Sequence, residues 1–142
     1  MLFRSGGHDG AVKLWDLDTG DCWMALAGLG SKVMSVKFSP DGNLLAIASD
    51  FTIQIWDLAT QKCIQTLTGH TKLIYTIAFD PNAPLSLVSA GDDGTIRHWN
   101  IETGECIQVL RPDRIYEGMN IAGAIGFTEG QRATLKALGA LE

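Results

Sequence analysis

The sequence has no run of basic residues and no long apolar stretch. Its 11 Lys and Arg residues are outnumbered by 16 Asp and Glu, and the formal net charge is −5. Nucleic-acid and anionic-membrane surfaces need a clustered basic patch, so we expect neither partner. No segment approaches the roughly 18 apolar residues of a membrane-spanning helix. The first ten residues also lack the apolar run of a signal peptide, which predicts a cytoplasmic protein.

Motifs for cofactors and metals are absent as well. The glycines do not form a phosphate-binding loop of the GxxxxGK[ST] type. Cysteines and histidines show none of the close spacings, such as CxxC or HxxxH, that mark zinc sites. The sequence therefore predicts no cofactor, no metal and no enzymatic activity.

What the sequence does contain is an internal repeat, carried by a chain with 16 glycines and four tryptophans. Trp15, Trp56 and Trp99 are spaced 41 and then 43 residues apart. Each is followed by an acidic or amide residue and, seven positions after the tryptophan, by a cysteine: Asp16 and Cys22, Asp57 and Cys63, Asn100 and Cys106. This coincidence indicates duplication, so three copies of one unit are present.

Each repeat has the pattern of four short antiparallel strands. The segments SVKFSPDGNLLAIAS and TIAFDPNAPLSLVSA are each two β-branched apolar runs separated by a Pro-containing turn. Asp9-Gly10 and Asp93-Gly94 are typical of tight hairpin turns. The apolar period in Val12–Trp15 is two, as in a strand. The predicted fold class is therefore all-β.

A period near 42 residues with a terminal Trp-Asp resembles the Trp-Asp (WD) repeat β-propellers, whose blades run about 40–45 residues. Gly69-His70 also matches the Gly-His pair of that family. The resemblance covers residues 2–111. It implies a partial propeller of about three four-stranded antiparallel blades, approximately 1–27, 28–68 and 69–111, of which the first lacks its first strand. A C-terminal extension, 112–142, follows.

The resemblance also implies a structural hydrogen-bond network formed by His70, Ser89, Asp93 and Trp99. Buried imidazole, hydroxyl, carboxylate and indole groups need partners, and a linked set satisfies them together. The alternative is a Ser/His/Asp nucleophilic triad. Because the tryptophan belongs to the same set and recurs with the repeat, the structural interpretation is favoured.

The other two repeats carry incomplete versions of this set. The first keeps Ser5, Asp9 and Trp15. The second keeps Asp50 and Trp56 but has Leu29 where the histidine would lie and Ala46 where the serine would lie. We therefore expect the second blade to be held mainly by apolar packing and to open more easily than the third.

The three cysteines allow several interpretations. A metal site fails on spacing, and a disulfide needs Cα atoms within about 7 Å, closer than equivalent points of adjacent blades should come. We expect free thiols packed in the outermost strands, which fits a cytoplasmic protein.

The tail contains a capping box, Thr128 to Gln131, which predicts a short helix near 129–138. This helix is expected either to cap the last blade or to dock another domain or chain. The segment YEGMNIAGAIGFTEGQRATLKALGA resembles the C-terminal extension of bacterial, notably cyanobacterial, WD-repeat proteins. In those proteins the propeller is commonly the sensor or scaffold of an NTPase-type signalling protein.

About two and three-quarter blades cannot close a ring of four to eight blades. Three explanations stay open: the chain is the C-terminal part of a longer protein, copies self-associate through open blade edges, or the tail caps an open array.

The leading functional hypothesis is a non-enzymatic scaffold that binds other proteins or peptides. Family binding faces lie where the loops entering the first strands converge. By position, this candidate partner-binding face comprises Lys32, Met34, Leu73, Tyr75 and Asp92, with His8 and Ser49 nearby. Tyr75 and Leu73 would be its anchors. The alternative for this face is that its members are ordinary solvent-exposed residues. The alternatives for the chain are that it is a regulatory module of an NTPase or that it is an enzyme.

Overall fold

The computed structural model describes residues 2–112, 120, 128–138 and 140. Their elements are eleven strands and one helix. The strands are β1 (Leu2–Gly6), β2 (Val12–Asp16), β3 (Cys22–Leu26), β4 (Val33–Phe38), β5 (Leu44–Ser49), β6 (Thr52–Asp57), β7 (Lys62–Thr68), β8 (Ile74–Asp80), β9 (Ala83–Gly91), β10 (Ile96–Asn100) and β11 (Cys106–Leu110), and the helix is α1 (Glu129–Ala137). The chain divides into two compact units, residues 1–111 and 112–142.

The strands form three antiparallel sheets, each a meander of consecutive strands. The first blade is β1-β2-β3, the second is β4-β5-β6-β7 and the third is β8-β9-β10-β11. The predicted all-β partial propeller, with three strands in its first blade and four in each of the others, is confirmed.

Two glycines make the predicted hairpin turns possible. Gly10 and Gly94 have φ of 71° and 73°, a region that side chains bearing a Cβ adopt at a cost. The aspartate before each glycine stabilises the same turn by accepting a backbone hydrogen bond. Asp9 accepts a hydrogen bond from the Ala11 amide at 3.2 Å, and Asp93 accepts one from the Thr95 amide at 3.0 Å.

A bulge explains the fixed spacing between tryptophan and cysteine. In every blade the register between the last two strands shifts one residue before the tryptophan, which then pairs with the cysteine: Trp15 with Cys22, Trp56 with Cys63, Trp99 with Cys106. A bulge aims one side chain differently from its neighbours and is a built-in feature of a strand pair. The seven-residue offset is therefore the distance along the chain from each tryptophan, around the hairpin turn, to the cysteine that pairs with it.

The cysteines are free thiols on the outermost strands, and one part of the expectation for them is wrong. Cys22 and Cys63 are exposed instead of packed, and only Cys106 is half-buried. Each thiol lies within hydrogen-bond distance of the backbone oxygen two residues later: Met24, Gln65 and Gln108, at 3.5, 3.4 and 3.4 Å. Cys22 and Cys63 lie on the edge strands β3 and β7, where solvent reaches them.

Two apolar cores lie between the three blades, and β5 contributes to both. Leu45 and Ile47 pack in the core shared with the first blade, whereas Ala46 and Ala48 pack in the core shared with the third. Successive residues of a strand point to opposite faces, so this alternation follows directly from β5 lying in the central blade. The second blade is therefore covered on both faces.

In the second unit, α1 is confirmed as the predicted helix. Thr128 accepts a hydrogen bond from the Gln131 amide at 3.2 Å, and the Gln131 side chain accepts one from the Thr128 amide at 2.9 Å. These two bonds are the capping box. The helix ends at Ala137 with Leu138 as its C-cap, within one residue of the predicted range, and its role as a cap or as a docking helix stays a prediction. Within the described part of the chain, no helix has the length and apolar character to cross a membrane.

Candidate functional site

The third blade brings His70, Ser89, Asp93 and Trp99 together in one chain of hydrogen bonds. His70 precedes β8, Ser89 lies in β9, Asp93 lies in the β9–β10 turn and Trp99 lies in β10. The Trp99 indole Nε1 donates to Ser89 Oγ at 2.8 Å. His70 Nε2 lies 2.7 Å from the same oxygen, and His70 Nδ1 lies 2.8 Å from an Asp93 carboxylate oxygen. Four residues from separate elements are thus linked end to end.

The chemistry of the four groups determines which one donates the proton in each hydrogen bond. Ser89 Oγ accepts from the indole and donates its own hydrogen to His70 Nε2, so His70 carries its proton on Nδ1 and donates it to Asp93. Asp93 also accepts from the Thr71 amide at 3.1 Å and from Thr95 Oγ1 at 2.7 Å. Sequence analysis missed both threonines, although Thr95 stands only two residues after the aspartate.

The Asp93 carboxylate is held in its charged form by this set. Burial acts to raise the pKa of Asp93, but hydrogen bonds from Thr95, Thr71 and His70 outweigh it and lower that pKa below its ordinary value. A carboxylate with several donors is an anchor for the turn and the histidine.

Burial favours the structural interpretation of this set over a nucleophilic triad. Ser89 is 1% exposed and His70 is 4% exposed, so a substrate has no path to the hydroxyl. The hydroxyl is also committed to two partners, the indole and the imidazole. A nucleophile needs an accessible oxygen and a place for the reacting atom about 3 Å away, and this arrangement offers neither.

The first blade contains the same tryptophan–serine bond in a more open setting. Trp15 Nε1 donates to Ser5 Oγ at 3.2 Å, and Ser5 is exposed. His8 is exposed as well. The first blade therefore provides an exposed counterpart of a bond that the third blade buries.

The second blade corrects the sequence alignment. In β9, Ser89 pairs with Arg97, and the equivalent pair in the second blade is Ile47 with Gln54. Ile47, and not Ala46, therefore occupies the serine position, because the β5–β6 hairpin is one residue shorter than its counterpart and shifts the sequence offset.

Polar substitutes support this blade in place of the missing network. Trp56 Nε1 donates to the Gln54 side chain at 3.1 Å, two residues earlier on the same strand. Leu29 is buried at the histidine position. Asp50 accepts from the Ser31 amide at 2.9 Å and from the Ser31 hydroxyl at 2.7 Å, and these bonds lower the pKa of Asp50. These hydrogen bonds add to the two apolar cores that cover the blade, and the expectation that apolar packing mainly holds it stays a prediction.

The loops of the candidate partner-binding face are joined by backbone hydrogen bonds. The Lys32 carbonyl accepts from the Asp50 amide at 3.1 Å, and the Asp50 carbonyl accepts from the Ile74 amide at 2.8 Å. In the third blade the Leu73 carbonyl accepts from the Asp92 amide at 2.8 Å. Lys32, Leu73 and Asp92 thus lie at one end of neighbouring blades.

Side chains gather around Asp92. Tyr75 is 50% exposed, and its interaction with the nearby Asp92 carboxylate raises the pKa of Tyr75. Lys72 Nζ lies 3.8 Å from an Asp92 carboxylate oxygen. Leu73, the residue after Lys72, is half-buried. Lys72 was not among the predicted residues. Met34, by contrast, is half-buried and lines a cavity beside β1.

The family described as WD domain, G-beta repeat, matches residues 20–57 and 61–100, which together are more than half of the chain. The chain belongs to the WD-repeat family. Each matched range begins before the last strand of one blade and ends at the Trp-Asp or Trp-Asn of the next, so one sequence repeat bridges two blades.

A stretch of 33 residues is 58% identical to a WD repeat-containing protein of Nostoc sp. that is described as uncharacterized. The match covers 23% of this chain and 2% of that protein. The predicted likeness to cyanobacterial WD-repeat proteins is confirmed. WD repeats generally mediate protein–protein interactions, and WD-repeat domains are generally non-enzymatic. Among the described residues, no three His, Cys, Asp or Glu side chains are grouped to hold a metal ion.

Proposed function

We propose that this chain is a non-enzymatic, cytoplasmic protein-interaction scaffold whose partners bind at the loop end of the second and third blades. The observation that carries the proposal is the group Lys72, Leu73, Tyr75 and Asp92. Lys72 and the half-exposed Tyr75 interact with the Asp92 carboxylate, and the Leu73 carbonyl accepts a hydrogen bond from the Asp92 amide. The predicted face residues Lys32 and Met34 belong to the adjoining loop and strand of the second blade.

Tyr75 has the properties of an interface anchor. Tyrosine is enriched at binding hot spots because it offers a large contact area and loses little conformational entropy. We expect the interaction with Asp92 to restrict the ring before a partner arrives, and such preorganisation reduces the entropy cost of binding. Lys72 and Asp92 supply both signs of charge at the rim. The face therefore suits a partner with an apolar centre and polar edges.

Membership of a longer protein, and with it the alternative of a sensor module for an NTPase, stays a prediction.

Site-specific cross-linking tests the proposed face. A photo-reactive p-benzoylphenylalanine replaces Tyr75 in one variant and Ile107 in another. Ile107 is the matched control because it is 59% exposed and lies on β11 at the outer rim. We expect one protein to be cross-linked from position 75 and not from position 107.

The captured protein is then purified and added to the unmodified chain. Binding should slow hydrogen exchange in residues 71–76 and 91–94 and leave residues 106–110 unchanged. Protection confined to any other region would contradict the assignment of this face.

A further inference from the structure

The hairpin turn between β5 and β6 carries an exposed phenylalanine. Ser49 pairs with Thr52, so the turn itself consists of Asp50 and Phe51 alone. Phe51 is 55% exposed. The second blade is covered by an apolar core on each face, so this exposure arises from the position of the turn at the loop end of the blade.

The other two blades have polar turns at the same place. These turns are residues 7–11, with the sequence GHDGA, and residues 91–95, with the sequence GDDGT. Each contains a glycine with positive φ, whereas the shorter turn of the second blade has no glycine and Asp50 adopts a φ of 51°. A left-handed conformation costs stability, although aspartate tolerates it better than most residues, and an exposed Phe51 gains little from burial. Departures from local preference of this kind are expected at functional sites.

Four hydrogen bonds hold Asp50 in this conformation. Its carboxylate accepts from the amide and from the hydroxyl of Ser31, at 2.9 and 2.7 Å. Its amide donates to the Lys32 carbonyl at 3.1 Å, and its carbonyl accepts from the Ile74 amide at 2.8 Å. The turn is therefore tied both to the loop before β4 and to the first residue of β8 in the next blade. Because Phe51 follows directly, a partner that binds its ring pays little for ordering the backbone.

Phe51 and Tyr75 flank the same hydrogen bond between two blades. Each is the residue after one of its partners, since Phe51 follows Asp50 and Tyr75 follows Ile74. Tyr75 is 50% exposed, so two large aromatic side chains of similar exposure lie where the second and third blades meet. Aromatic residues are enriched at the hot spots of protein interfaces. The aromatic part of the face therefore includes Phe51, which the sequence analysis did not select.

The charges around these two aromatic residues differ in how far they are engaged. The Asp50 carboxylate is occupied by Ser31, and the Asp92 carboxylate lies 3.8 Å from Lys72. Lys32 is exposed and forms no salt bridge with another residue that the structure describes, and its carbonyl is bonded to the base of the turn. The charge available to a partner beside Phe51 is therefore positive, although the chain as a whole carries −5.

Given the scaffold function proposed above, we propose that Phe51 and Tyr75 together anchor an acidic partner segment, in which an apolar side chain stands next to a carboxylate. The apolar side chain would pack on the aromatic rings, and the carboxylate would pair with Lys32. Aromatic anchors supply most of the binding energy of such a face, whereas charge complementarity selects between partners. Phe51 thus contributes affinity, and Lys32 sets the preference for an acidic segment over a basic one.

Selection from a phage-displayed library of random peptides on the whole chain tests this assignment. We expect the enriched peptides to place Asp or Glu beside Leu, Ile or Phe. Synthetic copies, measured by fluorescence anisotropy, should bind Phe51→Ser about tenfold more weakly than the unmodified chain. The matched control is Ile64→Ser, because Ile64 is 52% exposed and lies on β7 of the same blade, and this variant should bind unchanged. A second selection on Lys32→Glu should enrich Lys and Arg instead of Asp and Glu.

Enrichment of basic or uncharged peptides, or of none, on the unmodified chain would overturn the proposal, as would a charge preference that Lys32→Glu leaves unchanged. Should Lys32→Glu disturb the fold, as judged by circular dichroism, Lys32→Gln decides instead, and it should abolish the preference for acidic peptides. Peptides that lose affinity for Tyr75→Ala but not for Phe51→Ser would refute the role of Phe51 and leave the proposed scaffold face standing. Peptides indifferent to both substitutions would count against the inference and the proposed face together.

Discussion

Replacing Ser89 with alanine removes the hydroxyl that connects Trp99 to His70. The substitution leaves two buried groups without a partner, the indole N–H and His70 Nε2, which lie 2.8 and 2.7 Å from the serine oxygen. Both side chains lie within the third blade, where Trp99 is 1% exposed and His70 is 4% exposed. Water cannot replace the lost oxygen without entering that core.

The magnitude follows from those two groups. Leaving a buried polar group unpaired costs about 1–3 kcal/mol, whereas a hydrogen bond that water can replace contributes far less. Since His70 keeps its bond to Asp93, we expect Ser89→Ala to lower the free energy of unfolding by about 2–4 kcal/mol, the sum for two partly relaxed groups.

The first blade offers the matched control. Ser5→Ala removes the same type of bond, from Trp15 at 3.2 Å, but at an exposed position. There the indole N–H can bond to water, so the loss should be about 0.5 kcal/mol or less. Urea unfolding followed by far-ultraviolet circular dichroism measures both variants under identical conditions.

Equal destabilisation by the two substitutions would refute the reasoning. It would mean that the buried network contributes no more than a solvent-exposed hydrogen bond, and that burial does not set its energy. A Trp99→Phe, Ser89→Ala double-mutant cycle adds a direct check, because a coupling energy near zero would show that the two side chains do not act together.

Three further predictions follow from particular residues. The pKa of Asp93 is lowered in the folded chain, so the stability that its carboxylate contributes is present above about pH 4 and is lost as the pH falls. The loss of unfolding free energy in Asp93→Asn, measured by urea unfolding, should therefore be large at pH 7 and shrink below pH 4. A loss independent of pH would contradict this. Gly10→Ala should lower the free energy of unfolding by about 2 kcal/mol or more, because φ is 71° and an added Cβ would overlap the Gly30 carbonyl oxygen. Gly94→Ala, with φ 73° and open space around it, should lower it by only about 1 kcal/mol. The reverse order would argue against the close approach of Gly10 to the Gly30 carbonyl. Hydrogen exchange should be slowest in β5 and β6, since the second blade is covered on both faces. Faster exchange there than in β9 and β10 would instead support the expectation from the sequence that the second blade opens more easily than the third.

The blades could be predicted from sequence because their signals are local. Each turn is specified by a few residues, such as Asp93-Gly94, and each repeat carries its own tryptophan at a regular spacing. The network of His70, Ser89, Asp93 and Trp99 was predicted by position because the third repeat keeps every member of the set.

The second blade shows where that approach stops. A hairpin one residue shorter moves Ile47 into the serine position, and a sequence offset counted back from Trp56 therefore selects the wrong residue. Gln54 replaces the serine from a different place on the sheet, and only strand pairing and side-chain direction reveal that it reaches the indole. The continuous apolar run Leu44–Ala48 is typical of a strand buried on both faces, but the sequence does not show which blade covers each face.

The cavity lined by Phe3 and Val33 depends on residues of two blades, which are distant in sequence and meet only when those blades stack. Tyr75 and Asp92 belong to one blade and come together only when β8 pairs with β9. Exposure of Cys22 and Cys63 likewise depends on what covers the outermost strands, which the period of the pattern does not show.

The affinity of a purified partner for Tyr75→Ala and for Ile107→Ala, measured by isothermal titration calorimetry, tests the proposed scaffold most directly. Loss of a central aromatic anchor costs about 1–2 kcal/mol, so we expect binding to Tyr75→Ala to weaken about five- to thirtyfold and binding to Ile107→Ala to change less than about twofold. Equal affinities for the two variants would contradict the assignment of partner binding to the face around Tyr75.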